Sequence, residues 1–160
     1  MTAFAGSAGG ALRHRPSAQA LLHSRELWAT IDVCNPPKQP NTIGIRGSMP
    51  GDARAGDRMY MSFELQYLTA VNQWVPLSSS TSGYVAVGGG GSVRQGGWSF
   101  TLKPSSTHGN GKYTIRGLVS VRWMHGKHVI AHGQVPTTAG HKALVGADPA
   151  GYSAASCSIG

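Results

Sequence analysis

The stretch RMYMSFELQYLT, residues 58–69, alternates apolar and polar side chains along its length. Its apolar positions are Met59, Met61, Phe63, Leu65 and Tyr67, and its polar positions include Ser62, Glu64 and Gln66. Because successive side chains of a strand point to opposite faces, this period of two predicts a β-strand with one face in a core. The stretch therefore sets the expectation of a β-sheet protein.

A second alternating stretch, KYTIRGLVSVRWM at residues 112–124, predicts another long strand. Its apolar face carries Tyr113, Ile115, Val119, Val121 and Trp123, and its polar face carries Thr114, Arg116, Ser120 and Arg122. His125-Gly126 is a compact turn signal, and residues 127–135 return as a further strand. The three segments together predict an antiparallel hairpin.

Five shorter stretches extend the pattern: ELWATIDVC at 26–34, TIGIR at 42–46, WVPL at 74–77, GYVAV at 83–87 and GWSFTLK at 97–103. Prolines at 36, 37 and 40 end the first of them, because proline lacks the donor that a sheet ladder needs. Strands of this length between turn signals predict an all-β fold, an antiparallel β-sandwich of about 7–8 strands. A barrel is the alternative.

The two ends of the chain differ from this pattern. Residues 1–24 are rich in Ala, Gly and Ser, and we interpret them as a flexible leader. Residues 25–160 form a single β-sandwich domain, and the GGGGS run at 88–92 is predicted to be flexible. The tail after residue 136 is irregular and small-residue-rich.

Cys34 and Cys157 are the two cysteines of the chain, and we predict a disulfide between them. The bond would tie the C-terminal tail to the end of the first strand and enclose most of the chain. Two unrelated buried thiols are the alternative. Paired cysteines favour an exported protein, extracellular or at the cell surface, although residues 1–24 lack the apolar core of a signal peptide.

The charge is low in density and positive in sign. Charged residues make up 12% of the chain, and the net charge is +8. The basic residues are scattered and form no nucleic-acid motif, so nucleic acid is an unlikely partner. Anionic wall polymers or cell surfaces fit a scattered positive charge better. No apolar run reaches the roughly 18 residues of a membrane span.

The strand series over residues 26–137 resembles immunoglobulin-like and fibronectin type III-like sandwiches in pattern. The chain also looks like uncharacterised exported actinobacterial proteins that carry a similar DVCN segment, here residues 32–35, and a C-terminal cysteine. The immunoglobulin resemblance lacks the usual pair of inter-sheet cysteines around a core tryptophan. Neither resemblance implies an activity.

No residue set predicts catalysis, a metal site or a cofactor. His128 and His132 share a strand face but are separated by roughly 13 Å, too far for one metal ion, although His125 could approach His128 across the turn. Asp52 and Asp57 lie in a glycine-rich loop, where aspartates most often cap turns. We therefore expect no enzyme.

Aromatic side chains are the remaining candidates for ligand binding. Trp98 and Trp123 fall on apolar strand faces and are predicted to be in the core. Trp28, Trp74 and Tyr84 lie on a polar face or near turns, and could stack on sugar rings if the fold brings them together.

These observations predict a non-catalytic, exported structural or adhesive protein. It would bind anionic surface polymers or polysaccharide, and it could self-associate when the leader adds a strand to an exposed sheet edge of a neighbour. A carbohydrate-binding module and a hydrolytic enzyme with a loop-built site are the two alternatives.

Overall fold

Two antiparallel sheets form a β-sandwich in the computed structural model, which describes residues 14–103, 111–141 and 145–160. The elements are α1 (Ala18–Leu22), β1 (Trp28–Cys34), β2 (Thr42–Met49), β3 (Arg54–Leu68), β4 (Trp74–Gly90), β5 (Arg94–Thr101), β6 (Tyr113–His125), β7 (His128–Pro136) and β8 (Cys157–Ile159). The smaller sheet has the order β1-β2-β5, and the larger has the order β4-β3-β6-β7 with β8 paired to β6. The predicted all-β antiparallel sandwich is confirmed.

The core lies between the sheets and contains the apolar faces predicted for β3 and β6, except that Tyr67 is half-buried and Tyr113, at the start of β6, is 40% exposed. Its largest members, each at most 1% exposed, are Trp123, Phe63, Ile31, Ile43, Ile45, Met49, Met59, Met61, Leu65, Val119 and Val121. The sheets approach closely at Gly117, where a Cβ atom would lie 2.7 Å from Ile45 Cδ1. Alternation of the side chains along each strand therefore placed one face of each sheet in a shared interior.

Trp123 is in the core as predicted, whereas the prediction for Trp98 was wrong. Trp123 is 0% exposed, and its indole Nε1 donates to the Pro50 carbonyl at 2.8 Å. Trp98 faces the same side of its sheet as Ile45 but is 41% exposed. The reason is its place on β5, the outermost strand of the smaller sheet, where the second layer covers it incompletely.

The run of glycines at 88–91 is ordered, contrary to our expectation. Residues 88–90 end β4, which is one long strand where the sequence predicts two short ones. Its register against β3 shifts four times, so both predicted halves pair with the same long neighbour. A Cβ atom on Gly90 would collide with Asp52 Oδ1 and lie 2.7 Å from the Arg54 carbonyl oxygen. Glycine is required there because Asp52 and Arg54 lie too close to β4 to leave room for a side chain.

The second half of the predicted leader packs on the sandwich, which corrects that part of the prediction. Ser17 caps α1 by accepting a hydrogen bond from the Ala20 amide at 3.1 Å. Leu21 is 3% exposed and belongs to the core, and Leu22 packs against it and contacts Gly133. Leu21 and Leu22 are enough to pack one turn of helix onto the core. Two apolar residues are too few to show a helical period in the sequence, so the helix was not predicted. Residues 1–13 of the leader lie outside the described residues.

The C-terminal tail is held by the predicted disulfide, which is confirmed. The Cα atoms of Cys34 and Cys157 are 5.7 Å apart across a sequence separation of 123. Beside this bond, Ala154 exchanges backbone hydrogen bonds with Ile31 at 2.9 and 3.0 Å. The tail therefore lines the outer edge of β1. In the described part of the chain, no helix has the length and apolar character needed to cross a membrane.

Candidate functional site

The outer face of the larger sheet collects the polar sides of β3 and β6. The register places Tyr60 opposite Arg122 and Gln66 opposite Arg116. On the other side of β3, Tyr84 of β4 lies opposite Ser62, and Trp74 lies opposite Leu68. Two arginines and three aromatic residues thus share one face; we call Tyr60, Trp74, Tyr84, Arg116 and Arg122 the arginine face.

The first centre of this face is the Arg122 guanidinium, which contacts two tyrosine rings. Its Cζ atom lies 3.9 Å from the centroid of the Tyr84 ring and 5.0 Å from that of Tyr60. Such contacts are attractive because the ring face is electron-rich. The Nε atom of Arg122 is buried without a hydrogen-bond partner among the described residues. The side chain is therefore positioned by stacking and still has an unused donor.

The second centre is the Arg116 guanidinium, 4.5 Å from the centroid of the Trp74 ring. Its Nε donates to Gln66 Oε1 at 2.9 Å, and Gln66 Nε2 donates to Glu64 Oε1 at 3.1 Å. Burial lowers the pKa of Arg116 below the ordinary value of an arginine. An arginine remains protonated in proteins despite such a shift, so the centre is cationic.

Neither arginine forms an ion pair with a described residue. The salt bridges in the described ranges involve Arg15 and Arg46, and His125 contacts a carboxylate as well. Arg116 and Arg122 lie at i and i+6 on one strand, which corresponds to roughly 20 Å at about 3.3 Å per residue. The arginine face therefore presents two separated positive charges on aromatic supports.

The structure separates the three aromatic residues that the sequence nominates for ligand binding. Trp74 and Tyr84 lie on the arginine face, whereas Trp28 begins β1 in the other sheet. There Trp28 stacks on the His141 ring, with centroids 4.1 Å apart and planes at 12°. Burial also lowers the pKa of His141 from its ordinary value of 6.5, so the stacked imidazole is held in its neutral form at pH 7. Each nominated ring therefore already stacks on a side chain of its own chain.

A second cluster surrounds Asp52 and Asp57, which the sequence treats as turn caps. Asp57 accepts from Arg15 through Oδ2 and contacts His125 Nδ1 through Oδ1 at 2.6 Å. Asp52 caps the loop in part, since its Oδ1 accepts from the Arg54 amide at 3.1 Å. The side chains of Asp52 and Asp57 are 0% and 2% exposed. This pair therefore joins the N-terminal segment, the loop and the end of β6 inside the protein.

The two carboxyl groups of this cluster titrate in opposite directions. Burial raises the pKa of Asp52 above 3.8, and its hydrogen bond with Asp57 raises it further. Burial also acts to raise the pKa of Asp57, but hydrogen bonds with His125, Asp52 and Arg15 outweigh it and lower that pKa below 3.8. As the pH falls, Asp52 therefore binds a proton before Asp57 does.

A third polar group, Asp32 with Arg46, lines a pocket of about 270 Å³ on the smaller sheet. Arg46 Nε donates to Asp32 Oδ2 at 3.3 Å, and its Nη2 donates to the Val145 carbonyl at 2.6 Å. Burial raises the pKa of Asp32 above 3.8, although Arg46 opposes this. Arg46 is thus occupied by its own chain, in contrast to Arg122.

The histidines that the structure describes do not form a shared centre. His128 and His132 are exposed on β7, while His125 contacts Asp57 and His141 contacts Trp28. Across the described ranges, no group of three His, Cys, Asp or Glu side chains is placed to hold a metal ion.

The sequence placed both arginines on the polar face of their strand but did not single them out. Their spacing at i and i+6 was the available signal, because an even separation puts two side chains on one face. The aromatic partners come from β3 and β4, so no local pattern could have revealed the stacking.

Comparisons with known proteins identify no family for this chain. No family model matches the chain, and no curated protein matches it. Among solved structures, the chain is similar to Spo0M, a sporulation control protein from Bacillus subtilis, with 14% identity, a TM-score of 0.36, and coverage of 69% of this chain and 47% of that chain. It is also similar to the alkylpurine DNA glycosylase AlkC of Pseudomonas fluorescens bound to DNA containing an abasic site analog, with 10% identity, a TM-score of 0.33, and coverage of 69% and 28%. The chain thus spans about half of the first structure and less of the second.

Proposed function

We propose that this protein is a non-catalytic, exported adhesive domain that binds anionic carbohydrate polymers through its arginine face. The observation that carries the proposal is the pair of guanidinium groups, Arg116 and Arg122, stacked on aromatic rings without a carboxylate partner among the described residues. A ring positions a guanidinium without cancelling its charge, so the charge is available to a carboxylate or phosphate.

The disulfide supports export, because such bonds persist in oxidising compartments and are rare in the cytosol. The actinobacterial resemblance points the same way and stays a prediction, as does the immunoglobulin-like identity of the sandwich. In an extracellular setting, carbohydrate polymers are a more accessible polyanion than nucleic acid, and the net charge of +8 would draw them in.

Two features support binding without turnover. The carboxyl pair of Asp52 and Asp57 is the arrangement most similar to a hydrolytic acid–base pair, but both side chains are buried and engaged with each other and with Arg15. A substrate could reach neither oxygen pair without displacing that contact. Stacking of a neutral sugar on Trp74 or Tyr84 would compete with the arginine that already lies on each ring.

The test is binding to immobilised polygalacturonate and to a poly(glycerol phosphate), with neutral dextran as the reference. We expect the R116Q/R122Q variant to lose about a hundredfold or more in affinity, since hydrogen bonds to charged groups contribute about 1.5–3 kcal/mol each and two guanidinium groups are removed. The two polymers separate carboxylate from phosphate recognition. Affinity should fall as salt rises, because exposed charges are screened.

The matched control is R25Q/K127Q, which removes the same charge from two exposed residues off the arginine face. We expect it to change affinity much less than R116Q/R122Q does. Equal losses in the two variants would reduce the effect to net charge and contradict the proposal. Equal binding to dextran would instead favour the carbohydrate-binding alternative, and equally tight binding to duplex DNA would favour a general polyanion binder.

A further inference from the structure

The sandwich has four sheet edges, and three of them are guarded. The tail covers β1 through the bridges of Ala154 with Ile31 and Asp148 with Val33. On β4, Pro76 and four register shifts interrupt the edge. On β7, Pro136 and one register shift against β6 interrupt the edge. Proline, irregular register and covering segments are the devices by which proteins prevent edge-to-edge pairing.

Strand β5 has none of these devices. Its sequence, RQGGWSFT, contains no proline and no acid, and its single charge, Arg94, is at one end. The register with β2 runs through eight consecutive pairs without a shift. Among the described residues, no strand pairs with its outer side. The strand is therefore a regular edge that is open to another strand.

The hydrogen bonds identify which backbone groups of β5 point outward. The Leu102 amide donates to the Asn41 carbonyl at 2.8 Å, so these two residues form a hydrogen-bonded pair. In an antiparallel ladder such pairs alternate with non-hydrogen-bonded ones, so Phe100, Trp98 and Gly96 also bond to β2. The Thr42 carbonyl is consistent with this alternation. It accepts from the Asn35 amide at 2.7 Å and therefore points away from β5, to the β1 side of β2.

The residues between these positions, namely Gln95, Gly97, Ser99 and Thr101, therefore direct their N–H and C=O groups away from the sheet. All four are exposed. Unpaired edge groups of this kind serve as a template for a further strand.

We infer that β5 pairs antiparallel with β5 of a second copy of this chain, so that the two smaller sheets join across a twofold axis. One register uses all the outward groups of both copies. In it, Gly97 of each copy faces Ser99 of the other, and Gln95 of each faces Thr101 of the other. Trp98 lies on the twofold axis as a non-hydrogen-bonded pair, where side chains approach most closely.

Two features of β5 fit this occupant. Trp98 is 41% exposed, and on the axis each ring would cover the other, as aromatic cross-strand pairs do. The register also sets Arg94 opposite Leu102 of the other copy, so the two arginines do not face each other. An isologous contact closes after two copies, which makes the product a dimer and not a fibre.

The dimer goes beyond the proposed function and is separable from it. It would carry two arginine faces, which strengthens binding to a repetitive polymer by avidity. Its response to salt has the opposite sign to that of polymer binding. Each copy carries a net charge of +8, so screening should strengthen the dimer while it weakens binding to an anionic polymer.

The experiment compares Ser99→Pro with Ser99→Ala in the full oxidised chain by sedimentation velocity over a concentration series. Proline removes an outward N–H and is tolerated at such an edge position, whereas alanine keeps the N–H. We expect the wild-type protein and S99A to dimerise and S99P to weaken the dimer at least tenfold. Circular dichroism and the melting temperature check the fold, and Gln95→Pro is the second variant if S99P does not fold.

A wild-type chain that stays monomeric up to millimolar concentration at high salt would overturn the inference. So would a dimer that S99P and Q95P leave intact. Deletion of residues 1–13 provides the remaining arm. If the dimer survives the deletion, the strand comes from β5; if it is lost, the leader of the neighbour supplies the strand and our inference is wrong.

Discussion

Replacing Cys34 and Cys157 together with alanine should lower the free energy of unfolding by about 4–5 kcal/mol. The bond joins residues 123 positions apart, and a cross-link over so long a loop removes much of the conformational freedom of the unfolded chain. Domains of this size are typically stable by about 5–15 kcal/mol, so the loss would remove a large part of the total.

We also expect the variant without the disulfide to open locally at the C-terminal tail more readily than it unfolds as a whole. The bond anchors β8, which has three residues and, within the described ranges, pairs with the start of β6 alone. Without it, we expect the tail to open first, together with the bridge of Ala154 to Ile31 that covers β1. Amide hydrogen exchange should show faster exchange at Ile31 and Ala154 than at the centres of β3 and β6.

Chemical denaturation of the double variant, with the slope of the transition monitored, measures the change. The control is the wild-type protein under reductant, which should match C34A/C157A because both lack the same constraint. A midpoint that neither alanine nor reductant moves would contradict the prediction. Two free thiols in the oxidised protein would contradict both the bond and the exported localisation that we propose.

Replacing Asp57 with asparagine should lower the free energy of unfolding at pH 7 by about 2–3 kcal/mol. The carboxylate is buried and contacts both Arg15 and His125. Without its charge, Arg15 keeps only Asp52 as a charged neighbour, at 3.6 Å. Hydrogen bonds to a charged group contribute about 1.5–3 kcal/mol each, and solvent reduces this contribution because the Arg15 and His125 side chains are 28% and 64% exposed.

Asp52→Asn is the matched control, and we expect it to change stability much less. The pKa of Asp52 is raised, so its neutral form is the one that the fold favours, and asparagine is neutral and similar in shape. The asparagine nitrogen could also donate to Asp57. Equal losses in D52N and D57N would contradict the opposite pKa shifts of the two carboxyl groups.

The pH dependence provides a second measurement of the same cluster. The folded pKa of Asp57 lies below 3.8, so its contribution to stability is present above pH 3.8 and is lost as pH falls through that lower value. Wild-type protein should therefore lose stability on acidification below pH 3.8, and D57N should lose less over the same interval. Thermal unfolding from pH 6 downward tests this, and parallel curves for the two proteins would contradict it.

Some of the site was within reach of the sequence. Arg116 and Arg122 are assigned to one strand face by parity alone, because a strand repeats every two residues. The aromatic partners could not be predicted in this way, because Tyr60 and Tyr84 contact Arg122 from two other strands, β3 and β4. Likewise, Asp52 and Asp57 in a glycine-rich loop resemble turn caps until Arg15, far away in sequence, is brought onto them.

The all-β class and most of the buried faces of β3 and β6 followed from the sequence, because a period of two is a local signal. With two cysteines in the chain, only one pairing within the chain was open, although the sequence did not establish that the bond forms. Three outcomes required the tertiary structure: Trp98 lies on an open edge, Gly90 lies too close to Asp52 for a side chain, and Ala18–Leu22 form a helix that packs on the core. Those outcomes depend on strand order and on contacts between distant segments. Strand order depends on how whole sheets pack. Alternation within a single strand shows which face is buried but not which strands are neighbours.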